Sequence, residues 1–455
     1  MADPANDPSP SPLTRALADF ARESTYASLP EDVRDFVKLC ILDQVGAQAY
    51  GSTLPVSGLV RDYVRGGSTG ACTIVGSTAT VSAEGAALAN AVAGHGFELD
   101  DVHLPSLNHP GVAVVPAALA VGELVGATGE DLVAAVALGY EVMCRVGRGL
   151  APSYVSDRGF HPQGIVGPLG AAVAAAVLLE LEPPEIEHAM SLGVSHSGGT
   201  LQYLESHSES PQLHAGLGAM GGVRSALLAE AGFRGPRQII EGRYGLARAY
   251  ADTVDLGLMT DALGSEYSLL YNTFKVRPYH AFVHAAVDAV VEALATRPDV
   301  SPEDIERIVL GASSRMNRFV GGTTLGDSVE LPVAHAVVQG GAATELVSRV
   351  FVRHDEECER EFNSGGQRGA KVKVKSEIVL RDGSVLRAEC YAKGSYENPL
   401  TAAEMRDKAE GLLERGALGE QASTVSEMVL DCERLASVKD LTRLLSGNSS
   451  AAADA

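Results

Sequence analysis

Two segments made almost wholly of small apolar residues, 83–93 and 112–125, flank a stretch in which histidines and carboxylates crowd together: His95-Gly-Phe-Glu98-Leu-Asp100-Asp101-Val-His103-Leu-Pro105-Ser-Leu-Asn108-His109-Pro110-Gly111. This juxtaposition limits the fold more than any other feature. The flanks read as helices buried on most sides, and ionised groups between them cannot leave water singly, because a buried charge is costly unless it is paired or hydrogen-bonded. The stretch is therefore either a satisfied polar network or a functional site. Single members keep ordinary roles open, Asp100 or Asp101 as a cap or loop residue and a lone histidine as a structural one.

The same small-residue theme runs from Leu13 to about Ser268. Leu29-Pro30-Glu31-Asp32 opens a helix with proline and acids in its first turn, followed by Val33, Phe36, Val37, Cys40, Ile41 and Val45 at helical spacing. Residues 112–149, 164–181, 184–196 and 213–231 repeat the pattern. Glycine costs about 1 kcal/mol relative to alanine in a helix interior, so the run Gly216-Leu-Gly218-Ala-Met-Gly221-Gly222 implies close approach of a neighbouring helix or of a partner subunit.

Near Asn272 the pattern changes. A helix is expected over 280–296, but Ile305–Ala312 and Lys371–Tyr391 carry strand signals, with Asp382-Gly383 as a hairpin turn between two runs. After Asn398-Pro399 the chain reads as helical again and ends with Leu435, Val438, Leu441, Leu444 and Leu445 on one face. The expected fold class is mainly α, a large all-helical domain (13–268 plus 398–445) interrupted by a smaller α/β (α+β) lid domain (269–397), with disordered tails at 1–12 and 446–455.

The formal net charge of −22 argues against nucleic acid or an anionic membrane as partner, since both need clustered Lys and Arg. Six scattered cysteines without a Cys-x-x-Cys pair fit reduced thiols and no zinc motif. The longest apolar segment, Val166–Leu179, is interrupted by Pro168 and Gly170 and is too short to span a bilayer. The first dozen residues hold four prolines and no apolar run, so no signal peptide is expected there and a cytoplasmic location is.

Outside the opening stretch, three constellations carry chemistry. Gly159-Phe160-His161-Pro162 precedes an apolar helix; Lys275-Val-Arg277-Pro278-Tyr-His280 offers two cations and a histidine, enough to clamp a carboxylate and move a proton. Lys393-Gly394 with Asn398-Pro399 reads as a hinge, the glycine serving special dihedrals. Each has a bland alternative: a loop histidine beside a turn-forming proline, a solvated basic loop, a simple turn.

Taken together these residues resemble the MmgE/PrpD family, which includes 2-methylcitrate dehydratase, cis-aconitate decarboxylase and iminodisuccinate epimerase. Asn90, His95, Asp100, Asp101, His109, Pro110 and Gly111 match its Asn, His-x-Leu/Met-Asp-Phe-Asp-Asp and His-Pro-Gly/Ser elements; Glu98 stands where the first family aspartate falls. His161 matches a Gly-Phe/Tyr-His element, and Lys275 and His280 match Lys-x-x/Phe-Pro-x-His. The resemblance implies a dimeric enzyme working without cofactor or metal, its active site in the cleft under the lid. It carries Glu98, Asp101, His109, His161, Lys275 and His280 over as catalytic candidates, with Asp100, Gln212 and Arg277 for substrate binding.

Three departures bear on specificity. Pro211 stands where family members place a lysine thought to contact a substrate carboxylate, Val333 stands in place of a tyrosine, and Val102 in place of a threonine. The expected function is a cofactor-independent lyase, a dehydratase or decarboxylase, that abstracts a proton α to a carboxylate or carbonyl of a small organic acid other than the usual tricarboxylate. An epimerase using the same acid–base site and a non-catalytic binding relative are the alternatives. A homodimer is expected from the apolar helices 164–231. Substrate identity and the assignment of acid and base stay open.

Overall fold

Helix α8 (Pro162–Leu178) is apolar around its whole circumference and is buried along nearly all of its length, the arrangement such a helix requires. The computed structural model that shows this describes residues 12–447 apart from 207, 326 and 339–342. The tails expected at 1–12 and 446–455 lie almost entirely outside the described residues. Two compact units emerge, one formed by the residues up to Gly96, Ser106–Leu269 and the residues from Glu410 onward, the other by Phe97–Pro105 and Leu270–Ala409.

The first unit is helical. Ahead of α8 come α1 (Leu13–Glu23), α2 (Glu31–Gly51), α3 (Pro55–Gly67), α4 (Ala83–Gly94), α5 (Gly111–Val125), α6 (Gly129–Leu150) and the short α7 (Ser153–Ser156). After it come α9 (Pro183–Val194), α10 (Ser210–Glu230) and the short α11 (Leu246–Tyr250) and α12 (Gly257–Thr260), and two short strands, β1 (Cys72–Thr73) and β2 (Thr80–Val81), pair antiparallel ahead of α4. The stretch 112–149 is two helices: Gly126 takes a left-handed conformation (φ 71°) that ends α5, and Thr128 and Asp131 form a capping box that starts α6.

Glycines let the backbones meet around α8. A Cβ on Gly170 would lie 3.0 Å from the Gly139 carbonyl oxygen of α6, and one on Gly222 of α10 would lie 2.6 Å from the backbone nitrogen of Ala172. Gly216 faces Leu88 and Val92 of α4 in the same way. The glycine run of α10 thus answers to neighbouring helices of its own chain. The apolarity of 164–231 is covered in the same way, so it supplies no argument for a homodimer, although α10 keeps Leu213, Leu217 and Leu228 exposed.

One buried ion pair in this unit is tied down by further hydrogen bonds. The Arg145 guanidinium donates to Glu141 at 2.5 Å and to the carbonyls of Asp261 and Glu266, while Glu141 accepts from the backbone N–H groups of Ser268 and Leu269. A buried pair holds only when its remaining donors and acceptors are also satisfied.

The second unit is built on a four-stranded sheet. Strands β5 (Ile305–Ala312), β6 (Val350–His354), β7 (Lys373–Leu380) and β8 (Val385–Tyr391) run in the order β6-β5-β7-β8, with β5 and β6 parallel and the other pairs antiparallel. β7 alternates as its sequence predicts: Val374, Ser376, Ile378 and Leu380 are buried against helix α13 (Ala281–Ala295), and Lys373, Lys375 and Glu377 face outward. Gly383 sits at the hairpin turn with φ 86°. β6 went unread in the sequence because Val350-Phe-Val-Arg-His is short and half charged. The fold is mainly α with a smaller α/β region. All six cysteines are buried and unpaired with each other, and among the described residues no helix is long and apolar enough to cross a membrane.

Candidate functional site

In the first unit four imidazoles stand in series. His95 caps the C-terminus of α4, its N–H donating to the Ala91 carbonyl; His109 precedes Pro110 at the start of α5; His161 is the residue before Pro162 at the start of α8; and His214 lies near the start of α10. Ring centroids are 5.1 Å apart for His95 and His109, 6.2 Å for His95 and His161, and 5.1 Å for His161 and His214. Helix ends present these rings because the chain leaves or enters regular structure there. The Nδ1 atoms of His161 and His214 are 2.9 Å apart, so one ring donates N–H and the other accepts.

Two local features fix that pair. The His161 backbone N–H donates to the Gly199 carbonyl at 3.1 Å, joining residues 159–161 to 198–201. Gly199 has φ 106°, and a Cβ there would fall 2.8 Å from the His214 ring. Only glycine lets the loop lie this close. Tyr203 sets its ring edge-on to His161 at 5.1 Å. Burial, and then the proximity of His95, hold His214 below the ordinary histidine range.

In the second unit Lys275 is 1% exposed. The short strand β3 (Val102–His103) pairs with β4 (Asn272–Thr273), so the Glu98–Asp101 segment comes to the lysine. Lys275 Nζ donates to Glu98 Oε2 at 2.9 Å and to the Glu98 carbonyl at 3.1 Å, and lies 3.9 Å from Asp100 Oδ1. Glu98 adopts φ 59°, a costly conformation for a non-glycine residue, which accompanies the turning of both its carbonyl and its carboxylate onto one ammonium. Asn272 Nδ2 donates to Asp101 Oδ2 at 2.5 Å. Burial pushes the Lys275 ammonium down, but Glu98, Asp100 and Asp101 outweigh it and hold the group above the ordinary lysine value.

Other candidates are otherwise engaged. Arg277 donates to Asp288 at 2.6 Å through Nη1, and Asp288 also accepts the Lys393 N–H. His280 caps α13, its Nδ1 accepting from the Phe282 N–H at 3.3 Å, with its ring 4.6 Å from that of Phe319. Gln212 is half-buried on the first turn of α10, its Oε1 without a hydrogen-bond partner among the described residues. Val333 is wholly buried in the core of the second unit. There it packs with apolar neighbours. Gly394 takes φ 91° where the hinge reading asked for special dihedrals.

Sequence reading singled out His109 and His161 and missed His95, His214 and Tyr203 as members of the same group. His95 lies within the opening stretch, so its signal was present. His214 had one too, a histidine two residues before the glycine run of α10.

His284, on α13, is 2% exposed and pushed down to about 3, first by burial and then by the Lys275 charge. The folded chain keeps it neutral where the unfolded chain protonates it. Stability from this group is complete above the unfolded value near 6.5 and is lost as pH falls toward 3. Urea midpoints measured across that window are expected to fall less steeply in His284→Phe than in the parent chain; equal slopes would remove His284 as a cause.

Residues 15–258, more than half of the chain, match the MmgE/PrpD N-terminal domain. The chain belongs to the MmgE/PrpD family. Among curated relatives it is 26% identical to human cis-aconitate decarboxylase over 96% of this chain and 95% of the relative. It is 24% identical to the cis-aconitate decarboxylase-like protein oryM of Aspergillus oryzae over 96% and 97%, and 28% identical to the mouse cis-aconitate decarboxylase over 80% and 78%. This MmgE/PrpD protein is an enzyme, a lyase of the dehydratase or decarboxylase type.

Proposed function

We propose that this MmgE/PrpD lyase acts without a cofactor on a small organic acid carrying fewer charges than a tricarboxylate. The observation that carries the acid–base part is the series of four imidazoles with its hydrogen-bonded pair. In a dehydration a neutral imidazole takes the proton α to the carboxylate or carbonyl. The C–H electron pair becomes the C=C bond, and the β-hydroxyl leaves as water with a second imidazole's proton. In a decarboxylation the C–COO⁻ pair stays with the carbon framework as CO₂ departs, and an imidazolium protonates carbon. Both pass through an enolate-like state that needs a stabilising charge, for which the family resemblance offers Lys275 as the candidate.

The charge inventory supports the substrate class. Lys275 already holds Glu98, Arg277 is taken by Asp288, and Pro211 supplies no cation. A charged hydrogen bond is worth about 1.5–3 kcal/mol, so each absent clamp weakens a tricarboxylate substantially. Steady-state kinetics on cis-aconitate, 2-methylcitrate and a panel of dicarboxylates and hydroxy-dicarboxylates test the reading. A dicarboxylate is expected to give kcat/KM at least about tenfold above either tricarboxylate, the effect of one such bond. Robust turnover of cis-aconitate that vanishes in both His109→Ala and Lys275→Ala would overturn the substrate class and leave the site standing. Deuterium uptake into recovered substrate without product would point to epimerisation instead.

A further inference from the structure

We propose that the second unit holds a binding pocket for the carboxylate of a small organic acid, built on the Arg368 guanidinium, the rings of Tyr271 and Tyr396 and the hydroxyl of Ser395. The inference deepens the lyase reading above, on which it rests for the choice of carboxylate as the anion.

All the residues that line this pocket belong to the second unit. Arg368 ends a short 3-10 turn, Gly366–Arg368. Its guanidinium carbon lies 4.9 Å from the centre of the Tyr396 ring and 5.7 Å from that of Tyr271, close enough for cation–π attraction to both. The two rings meet edge to face with centroids 5.3 Å apart. Stacking of this kind occupies the flat faces of a guanidinium and leaves its edge, where the N–H donors point. Among the described residues no acid pairs with Arg368 and no acceptor takes those N–H groups. Ser395 is 8% exposed, and its buried Oγ has no hydrogen-bond partner among the described residues. A buried hydroxyl left in that state is costly. An uncommitted cation and an unsatisfied hydroxyl thus line one pocket, and a planar group with two acceptor oxygens answers both.

Size and charge narrow the ligand further. Only about 10 Å³ of the pocket admits the centre of a water-sized group, the scale of a single such group, so the head of a small acid enters and a nucleotide does not. Glu397 also lines the pocket and would repel a second negative charge at that end. A single clamp of this kind agrees with an acid of few charges.

The walls are held by the fold. The Gly394 N–H donates to the Asn398 carbonyl at 2.8 Å and the Asn398 N–H to the Ser395 carbonyl at 3.1 Å, closing the turn that carries Ser395 and Tyr396. The Phe274 N–H donates to the Gly394 carbonyl at 3.0 Å and ties this turn to β4, whose Thr273 lines the pocket too. Gly369 takes φ 81° beside Pro105, where a Cβ would fall 2.8 Å from the proline ring, and so seats the turn that ends in Arg368. Thr273 and Ala281 of the lining stand close in the chain to Lys275 and His280.

Arginine-selective ¹⁵N labelling of the full chain reads the pocket directly, the Arg368 Nε–H signal being the one lost in Arg368→Met. Titration with succinate or acetate is expected to shift that signal to saturation, and chloride at equal ionic strength to leave it in place. A signal that ignores both acids, or that moves as far with chloride, would overturn the proposal. Inorganic phosphate that saturates the signal as readily as succinate would overturn the choice of carboxylate. In Ser395→Ala the same shift is expected to need about 3- to 10-fold more succinate, the loss of one hydrogen bond; an unmoved midpoint would remove Ser395 from the pocket. Steady-state kinetics on the acid that is turned over then identify the source of the carboxylate. KM raised about 10- to 100-fold in Arg368→Met, with no change in Arg307→Met, whose exposed side chain pairs with Glu306 on β5, assigns it to the substrate. An unchanged KM, with the Arg368 shift persisting at saturating substrate, assigns it to a second acid. If no acid is turned over, the lyase reading fails while the titration still decides the pocket.

Discussion

Lys275→Ala is expected to lower kcat/KM about 100- to 1000-fold, the loss typical of removing one strong donor from a developing anion. The same change destabilises the fold. Lys275 is 1% exposed and is a cation held by Glu98, Asp100 and Asp101, so its removal takes a buried counter-charge away from these carboxylates. Breaking a buried pair costs about 3–5 kcal/mol; the low end applies here, because the Glu98 side chain is 49% exposed and partly screened by water. The sign with pH follows from the raised value of the lysine. Its contribution is fully present below the ordinary lysine value and is lost as pH rises through the folded one. In the variant the loss should shrink toward acid, where the carboxylates take up protons. Urea denaturation at neutral and acidic pH, beside Lys275→Arg, checks both halves. Parental stability and activity in Lys275→Ala would remove the lysine from the site and from the network alike.

His161→Ala is expected to lower kcat about 100- to 10 000-fold, the range for a lost general acid or base, with a much smaller effect on stability. The ring is 5% exposed and packs against the rings of His95, Tyr203 and His214, not against the apolar core. His109→Ala, beyond His95 in the same series, is the natural comparison. Retention of more than about a tenth of kcat in His161→Ala, against the loss expected for an acid–base group, would assign the proton transfer elsewhere.

Much of the fold was legible before any coordinate. The alternation of Val374, Ser376, Ile378 and Leu380, the Asp382-Gly383 turn and the helix opened by Pro30-Glu31-Asp32 are all local patterns, with a period that sets which face is buried. The glycine run of α10 announced a close approach without naming the neighbour. The break at Gly126 went unread although Thr128-Gly-Glu130-Asp131 is a local start signal for α6; the left-handed backbone at Gly126 marks the end of α5.

The sequence by itself determined the family and the mainly α class with a smaller α/β region, and it named His109, His161, Lys275 and the Glu98–Asp101 carboxylates as candidates. The tertiary structure alone decided which of these touch. His161 and His214 are 53 residues apart in the chain and share one hydrogen bond, and Glu98 reaches Lys275 across 177 positions. The physical reason is range. Backbone period and turn chemistry act over a few residues and leave a trace in local composition, whereas a charge or an imidazole is committed by whichever partner lies within about 3 Å, and no local pattern records that distance. The pairing of Arg277 with Asp288 and the burial of Val333 in the core of the second unit are of the same kind, set by partners that no local pattern names.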